Sequence, residues 1–195
     1  MSSESAAKPA RIQIAAHEGL VLAYPSCEKG IGKVIQSPES PDLIAGVRIN
    51  PNRIFPDDRG YFMEVMRSGC ELVAGFPAES TQVSASLSYP GTIKAFHYHL
   101  RQRDCWTPAV GMLQVALVDL REGSPTFGVR NTIYAGALRP WQILVPAGVA
   151  HGYKVIGTEP AVLVYVTDRF YDPSDEGRLA YNDPRINYDW ETQHK

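Results

Sequence analysis

The segment GTIKAFHYHLRQRDCWTPAVG, residues 91–111, is the part of the chain that decides the fold. His97 and His99 are two positions apart, and alternate residues of a β-strand share one face of the sheet. If this part of the segment is a strand, both histidines point to one side, and the apolar Phe96 and Tyr98 point to the other. We therefore expect the two histidines to face the interior of a small β-structure.

Short runs of apolar and β-branched residues lie on both sides of this segment, separated by Gly, Pro, Asp and Asn. Such runs are typical of strands joined by turns, and many of them in series favour an antiparallel sandwich or barrel. Two stretches, 64–75 and 172–184, lack the pattern and are predicted to be helical or irregular. The predicted strands are residues 45–49, 60–66, 80–88, 92–99, 112–120, 131–136, 141–146, 152–156 and 161–167.

A second segment, PAGVAHGY, places His151 in a P-x-G-x-x-H pattern that begins at Pro146. Together with residues 91–111 it resembles the paired motifs of the cupin superfamily, with Asp104 where Glu is usual and Val155 where Asn is usual. The resemblance implies an all-β fold, a cupin-type antiparallel β-barrel (double-stranded β-helix, or jelly roll) with few short helices.

Three histidines and a carboxylate that converge in a barrel suit Zn, Fe, Mn or Ni, which imidazole and carboxylate groups bind well. One interpretation is therefore a metal-dependent cupin enzyme, a dioxygenase or small-molecule isomerase, with His97, His99, Asp104 and His151 as ligands. In the other, His99 hydrogen-bonds a partner such as Asp104, and His97 and His151 act without a metal. Spacing alone leaves both open.

From about Leu43 to Trp190 the chain resembles the dTDP-4-dehydrorhamnose 3,5-epimerase family, whose members are metal-free cupins, so the resemblance implies no cofactor. Several motifs in one order carry the resemblance better than any one of them alone. They are FPDDRGYFMEV (55–65), KAFHYH (94–99), VALVDLREGSPTFG (115–128), LVPAGVAHGY (144–153), VYVTDRFYDPSDEG (164–177) and YNDPRINYDW (181–190).

The resemblance implies that His97 is the catalytic base and that Tyr165 is the general acid on the other side of the sugar ring. It implies that Tyr171 stacks on the nucleotide base, and that His151 lines the sugar site. Lys94 stands where the family usually has Arg, which keeps the charge but loses the bidentate fork. The predicted substrate-binding residues are Arg59, Glu64, Gln82, Lys94, His151, Tyr171 and Glu176.

These residue types suit the chemistry of a nucleotide-linked 4-keto-6-deoxy sugar. The ketone acidifies the protons at C3 and C5, so a base with a pKa near 6.5, such as His97, can remove one and leave an enolate. A phenol, Tyr165, can return a proton to the opposite face. The enolate oxygen needs a nearby donor, for which Lys94 or a protonated His151 is expected.

Besides Lys94, the sequence departs from the family at three points. Family members continue past the DW motif into a segment whose Asp pairs with the catalytic histidine, whereas this chain ends at Lys195, so Asp104 or Asp119 is expected to orient His97. His99 replaces a usual Gln, and Asp104 falls near a usual Lys. Several functions therefore stay open. The protein could be an epimerase that acts at one or both carbons, a 4-keto-sugar isomerase, or a non-catalytic cupin that binds a sugar or nucleotide.

Composition sets the remaining expectations. The 19 Lys and Arg against 21 Asp and Glu give a net charge of −2, which argues against binding to nucleic acid or to a membrane surface. No secretory leader, membrane-spanning run or CxxC spacing is visible, so a cytoplasmic location is expected. We predict an N-terminal arm, residues 1–41, and a barrel domain, residues 42–195, and expect a homodimer by analogy with the family.

Overall fold

The structure, a computed structural model, describes residues 11–192 and consists almost entirely of β-strands. Its only helix in that range is a single 3-10 turn, Glu71–Val73, so no helix of the described part is long enough to cross a membrane. The strands are β1 Gln13–His17, β2 Leu20–Ala23, β3 Lys33–Val34, β4 Arg48–Pro51, β5 Ile54–Asp57, β6 Gly60–Met63, β7 Gln82–Ser88, β8 Ile93–His99, β9 Asp104–Val110, β10 Met112–Asp119, β11 Arg130–Gly136, β12 Trp141–Val145, β13 Val149–Ile156, β14 Ala161–Thr167 and β15 Glu176–Arg178.

Two larger sheets form the body of the molecule. One has six strands in the order β15-β8-β13-β10-β11-β3, and the other has five in the order β4-β12-β9-β14-β7. Within them every strand pair is antiparallel except β11 with β3. The predicted all-β, jelly-roll class is confirmed, although the two sheets do not join into one closed barrel.

Strand β8 separates two kinds of side chain, as its alternation predicts. His97 and His99 face a cavity between the sheets. Phe96 is fully buried on the other face, where its ring lies 6.1 Å from that of Tyr188 and 5.5 Å from that of Trp190. One face of the six-stranded sheet therefore lines the cavity, and the C-terminal segment covers the other face.

The N-terminal segment also packs on the six-stranded sheet. Hairpin β1–β2 brings Leu22, which is fully buried, into the same cluster as Phe96, and the Ala23 amide donates to the Leu120 carbonyl at 2.9 Å. Strand β3 joins the sheet edge beside β11. The part of the arm from residue 11 onward thus packs on its own barrel; residues 1–10 and 193–195 lie outside the described part, and the domain boundary stays a prediction.

The sequence-based assignment missed β9 and, within the stretch 172–184, strand β15, whereas residues 64–75 are irregular apart from one 3-10 turn, as predicted. Five consecutive residues of β9, from Asp104 to Pro108, are buried, but the charged Asp104 and Pro108 interrupt the apolar run by which the other buried strands could be predicted. In residues 64–75 the left-handed backbone of Gly69 and Glu71 (φ 74° and 50°) stops any longer helix from forming.

Gly152 permits the close approach of β13 and β8. A Cβ at this position would lie 2.7 Å from Ala95 Cα and 2.8 Å from the Lys94 carbonyl oxygen, so Gly152→Ala must push the two strands apart. We expect a loss of about 1–3 kcal/mol in the free energy of unfolding, the usual cost of overpacking.

Chemical denaturation followed by fluorescence measures this loss, with Gly75→Ala as the matched control. The atom nearest to a Cβ at Gly75 is Arg103 Nη1 at 3.8 Å, the end of a flexible side chain, so the control should change stability by less than about 0.5 kcal/mol. Equal stability of the two variants would contradict the packing account.

Candidate active site

A cavity of about 420 Å³ lies between the two sheets, and most sequence-predicted site residues line it. His97, His151 and Glu176 reach it from the six-stranded sheet, whereas Gln82 and Tyr165 reach it from the five-stranded sheet. Base and acid candidates therefore enter from opposing walls. The other predicted residues that line it are His99, Asp104, Lys94 and Tyr171.

His97 is partly buried, with 33% of its side chain exposed, and its Nδ1 lies 3.7 Å from Glu176 Oε1. Burial lowers the pKa of His97 below its usual 6.5, while the Glu176 charge acts in the opposite direction. The ring is consequently mostly neutral at pH 7, which is the form that can accept a proton.

His151 is also neutral. Burial lowers its pKa to about 4, and the nearby Asp104 carboxylate only partly offsets this. Its Nδ1 lies 2.9 Å from the Val149 carbonyl oxygen, which can only accept, so Nδ1 carries the proton and Nε2 presents a lone pair. The expectation that a protonated His151 stabilises an enolate is therefore wrong at neutral pH, and Lys94 is left as the candidate cation.

Lys94 connects the two walls of the cavity. It lies on β8, and its Nζ donates to Ser86 Oγ on β7 at 2.6 Å. Tyr165, on β14, is half-buried beside the main apolar cluster. At the mouth, the Tyr171 amide donates to Gln82 Oε1 at 3.2 Å, and the Tyr171 side chain is 61% exposed, which leaves its ring accessible for stacking.

The alternative metal set is only partly assembled. Among residues 11–192, ligand atoms of His99, Asp104 and His151 come within 4.8 Å of one another, and His97 is not in this group. Gln102 Nε2 donates to Asp104 Oδ1 at 2.8 Å and lies 3.3 Å from His99 Nε2, and Trp106 Nε1 donates to Asp104 Oδ2 at 3.2 Å. Because His97 is not in the group and N–H donors of the chain already contact two of its three members, the structure does not favour the predicted four-ligand metal centre.

Neither carboxylate expected to orient His97 does so. Asp104 binds Gln102 and Trp106, as described above, and Asp119 is fully buried in a separate cluster in which Arg121 Nε donates to it at 2.8 Å. This cluster includes Ser124 and Thr126 and ties a loop together. Glu176 takes the place beside His97 instead.

Two predicted residues lie away from the cavity of this chain. Arg59, at the turn of the β5–β6 hairpin, pairs with Asp57, and Glu64 Oε2 accepts from Arg67 Nη2 at 2.8 Å. Both side chains are largely exposed. A single chain therefore does not bring them to His97.

Sequence reasoning missed seven residues that line the cavity, and the polar or charged groups of three of them, Gln102, Trp106 and Arg178, contact predicted site residues. Trp106 is buried as a core residue would be, but it also donates to Asp104. Arg178 could have been found from the spacing EGR, because residues 176 and 178 share one face if that segment is a strand.

Comparison with known families gives a match over most of the chain. The profile of the dTDP-4-dehydrorhamnose 3,5-epimerase family matches residues 42–195. The spore coat polysaccharide biosynthesis protein SpsL of Bacillus subtilis is 42% identical over 153 residues, which cover 77% of this chain and 99% of that protein. The dTDP-4-dehydrorhamnose 3,5-epimerase of Pseudomonas aeruginosa is 36% identical over 144 residues, covering 72% of this chain and 79% of that protein.

Solved structures that align with this chain are also epimerases of dTDP-sugars. The epimerase RmlC of Legionella pneumophila, in complex with dTDP-4-keto-L-rhamnose, aligns with a TM-score of 0.65 and 28% identity over 76% of this chain and 80% of that chain. ChmJ of Streptomyces bikiniensis, a 3'-monoepimerase in complex with dTDP-quinovose, aligns with a TM-score of 0.67 and 27% identity over 78% of each chain.

Proposed function

The chain belongs to the dTDP-4-dehydrorhamnose 3,5-epimerase family, and we propose that it inverts a carbon next to the ketone of a nucleotide-linked 4-keto-6-deoxy sugar. One observation carries the proposal for these residues: His97 and Tyr165 enter one cavity from opposing sheets. Inversion needs a base on one face of the sugar ring and an acid on the other. Two opposing walls supply that arrangement.

In the proposed reaction, neutral His97 removes the proton from C3 or C5. The electron pair of the C–H bond forms a double bond to C4, and the π pair of the ketone moves onto its oxygen. The resulting enolate is stabilised by the ammonium group of Lys94. Tyr165 then donates its proton to the opposite face of the same carbon. Solvent reprotonates the phenolate and takes the proton from His97, so the sugar changes configuration with no net change in its atoms.

The nucleotide is placed at the mouth of the cavity, where the exposed ring of Tyr171 offers a stacking surface beside Gln82. A dTDP group is proposed because the Legionella and Streptomyces relatives are each described with a dTDP-sugar. The likeness to SpsL supports a role in polysaccharide biosynthesis. A cytoplasmic location stays a prediction.

We also propose that the protein is a homodimer. Strand β7 is an edge strand of the five-stranded sheet, and its outward face exposes Val83 (57%) and Leu87 (58%). Apolar side chains on an edge strand favour association with a second sheet. A partner could also supply Arg59 and Glu64, which do not reach the cavity of their own chain.

His97→Gln tests the base. We expect the rate of epimer formation to fall about 10²–10⁴-fold, since a positioned general base contributes about that much. The rate of the unmodified protein should rise with pH as His97 loses its proton and should level off by neutral pH, because the pKa of His97 lies below 6.5. Proton NMR of a dTDP-4-keto-6-deoxy sugar follows the product. The control is His17→Gln on β1; full activity of His97→Gln would refute the assignment.

Tyr165→Phe separates proton removal from inversion. His97 can return a proton to the face from which it came, so this variant should still incorporate deuterium from D2O at the acidified carbon while product of inverted configuration falls at least about tenfold. NMR reports both quantities in one experiment. The exposed Tyr181→Phe is the control. Undiminished inversion in Tyr165→Phe would exclude this tyrosine as the acid.

The dimer is tested by light scattering at micromolar concentration. The unmodified protein should have twice the mass of one chain, and Leu87→Glu should shift the mass toward that of one chain, because it buries a charge in the proposed interface. Leu138→Glu is the matched control, since Leu138 is 88% exposed and lies outside β7. A monomeric unmodified protein would contradict the proposal.

A further inference from the structure

Strand β15 fixes Glu176 over the cavity. It pairs antiparallel with β8, so that Glu176 lies opposite His99 and Arg178 lies opposite His97. Gly177, between them, lies so close to the Tyr98 ring that any side chain there would collide with it. Glycine at this position lets the strand come near enough for its two charged neighbours to reach His97.

Glu176 is held on two sides. Its side chain is only 14% exposed, Arg178 Nε donates to its Oε1 at 2.8 Å, and Arg178 Nη2 forms an ion pair with the same oxygen at 2.8 Å. The same oxygen lies 3.7 Å from His97 Nδ1. Among the carboxylates of residues 11–192, Glu176 is the one that lies within 4 Å of a His97 ring nitrogen.

We propose that Glu176 is the positioning residue for the base: its carboxylate orients the His97 ring through Nδ1 and stabilises the imidazolium that forms when the base takes the sugar proton. The inference rests on the proposed function and deepens it. At 3.7 Å the contact is electrostatic, and because a carboxylate can only accept, it favours the tautomer that carries the proton on Nδ1 and leaves the lone pair of Nε2 for the substrate. Arg178 keeps the carboxylate in place from the solvent side.

The charged and titratable groups around His97 agree with this role. Glu176 and Arg178 face it from β15, His99 from its own strand, His151 from β13 and Asp104 from β9. Of the two carboxylates, Asp104 is occupied by Gln102 and Trp106. A positive charge that appears on His97 is therefore met chiefly by Glu176.

Glu176→Gln tests the proposal, because it keeps the shape of the side chain and removes its charge. We expect kcat for deuterium uptake from D2O to fall about 10- to 100-fold, since an opposite charge at this distance changes proton affinity by one or more pKa units. KM should stay unchanged, because the proposed role of the carboxylate is to act on the base. Glu176→Asp should recover part of the rate, and Glu159→Gln, at an exposed site, is the matched control.

A second readout does not depend on turnover. Nitrogen-15 NMR of the His97 ring should report the Nδ1–H tautomer in the unmodified protein and a mixture of tautomers in Glu176→Gln. Unchanged kcat with a raised KM in this variant would overturn the proposal and make Glu176 a substrate ligand. An unmodified protein with the expected tautomer but without turnover would refute the proposed function and leave the positioning contact standing; the opposite tautomer would refute the contact itself.

Discussion

The pairing of β8 with a neighbour on each side is the constraint on which the site depends. Strand β8 lies between β13 and β15, and both neighbours approach it at a glycine, Gly152 on one side and Gly177 on the other. These close contacts set the positions of His97, His151 and Glu176 relative to one another. The opposite face of β8 contributes Phe96 to an apolar cluster, so packing on one side of the strand holds the polar groups on the other.

Burial then determines the protonation state of two cavity histidines, His97 and His151. It lowers the pKa of both His97 and His151, so the cavity contains two neutral imidazoles at pH 7. Their surroundings separate their roles: a backbone carbonyl fixes the proton of His151, whereas a carboxylate lies beside His97. A neutral base next to a negative charge is suited to accepting a proton, and an imidazole locked by a carbonyl is suited to accepting a hydrogen bond from a sugar hydroxyl.

Much of the fold follows from the sequence because alternation is a local property. Strands such as β8 and β14, and the two faces of β8, could be predicted from residue spacing, and the order of motifs indicated the family. Strand β9 could not, because Asp104 and Pro108 interrupt its apolar run. The contact between Glu176 and His97 was also out of reach, since the pairing of a three-residue strand with β8 is a tertiary feature that residue spacing does not indicate.

The central claim, that this cavity removes a proton next to a sugar ketone, is tested most directly by proton NMR of a dTDP-4-keto-6-deoxy sugar in D2O with the unmodified protein. The account predicts that the C3 or C5 signal, or both, disappears at a rate proportional to enzyme concentration as deuterium replaces the proton. The two signals, scored separately, identify which carbon reacts. Persistence of both signals in the presence of folded protein that binds the sugar nucleotide would contradict the account.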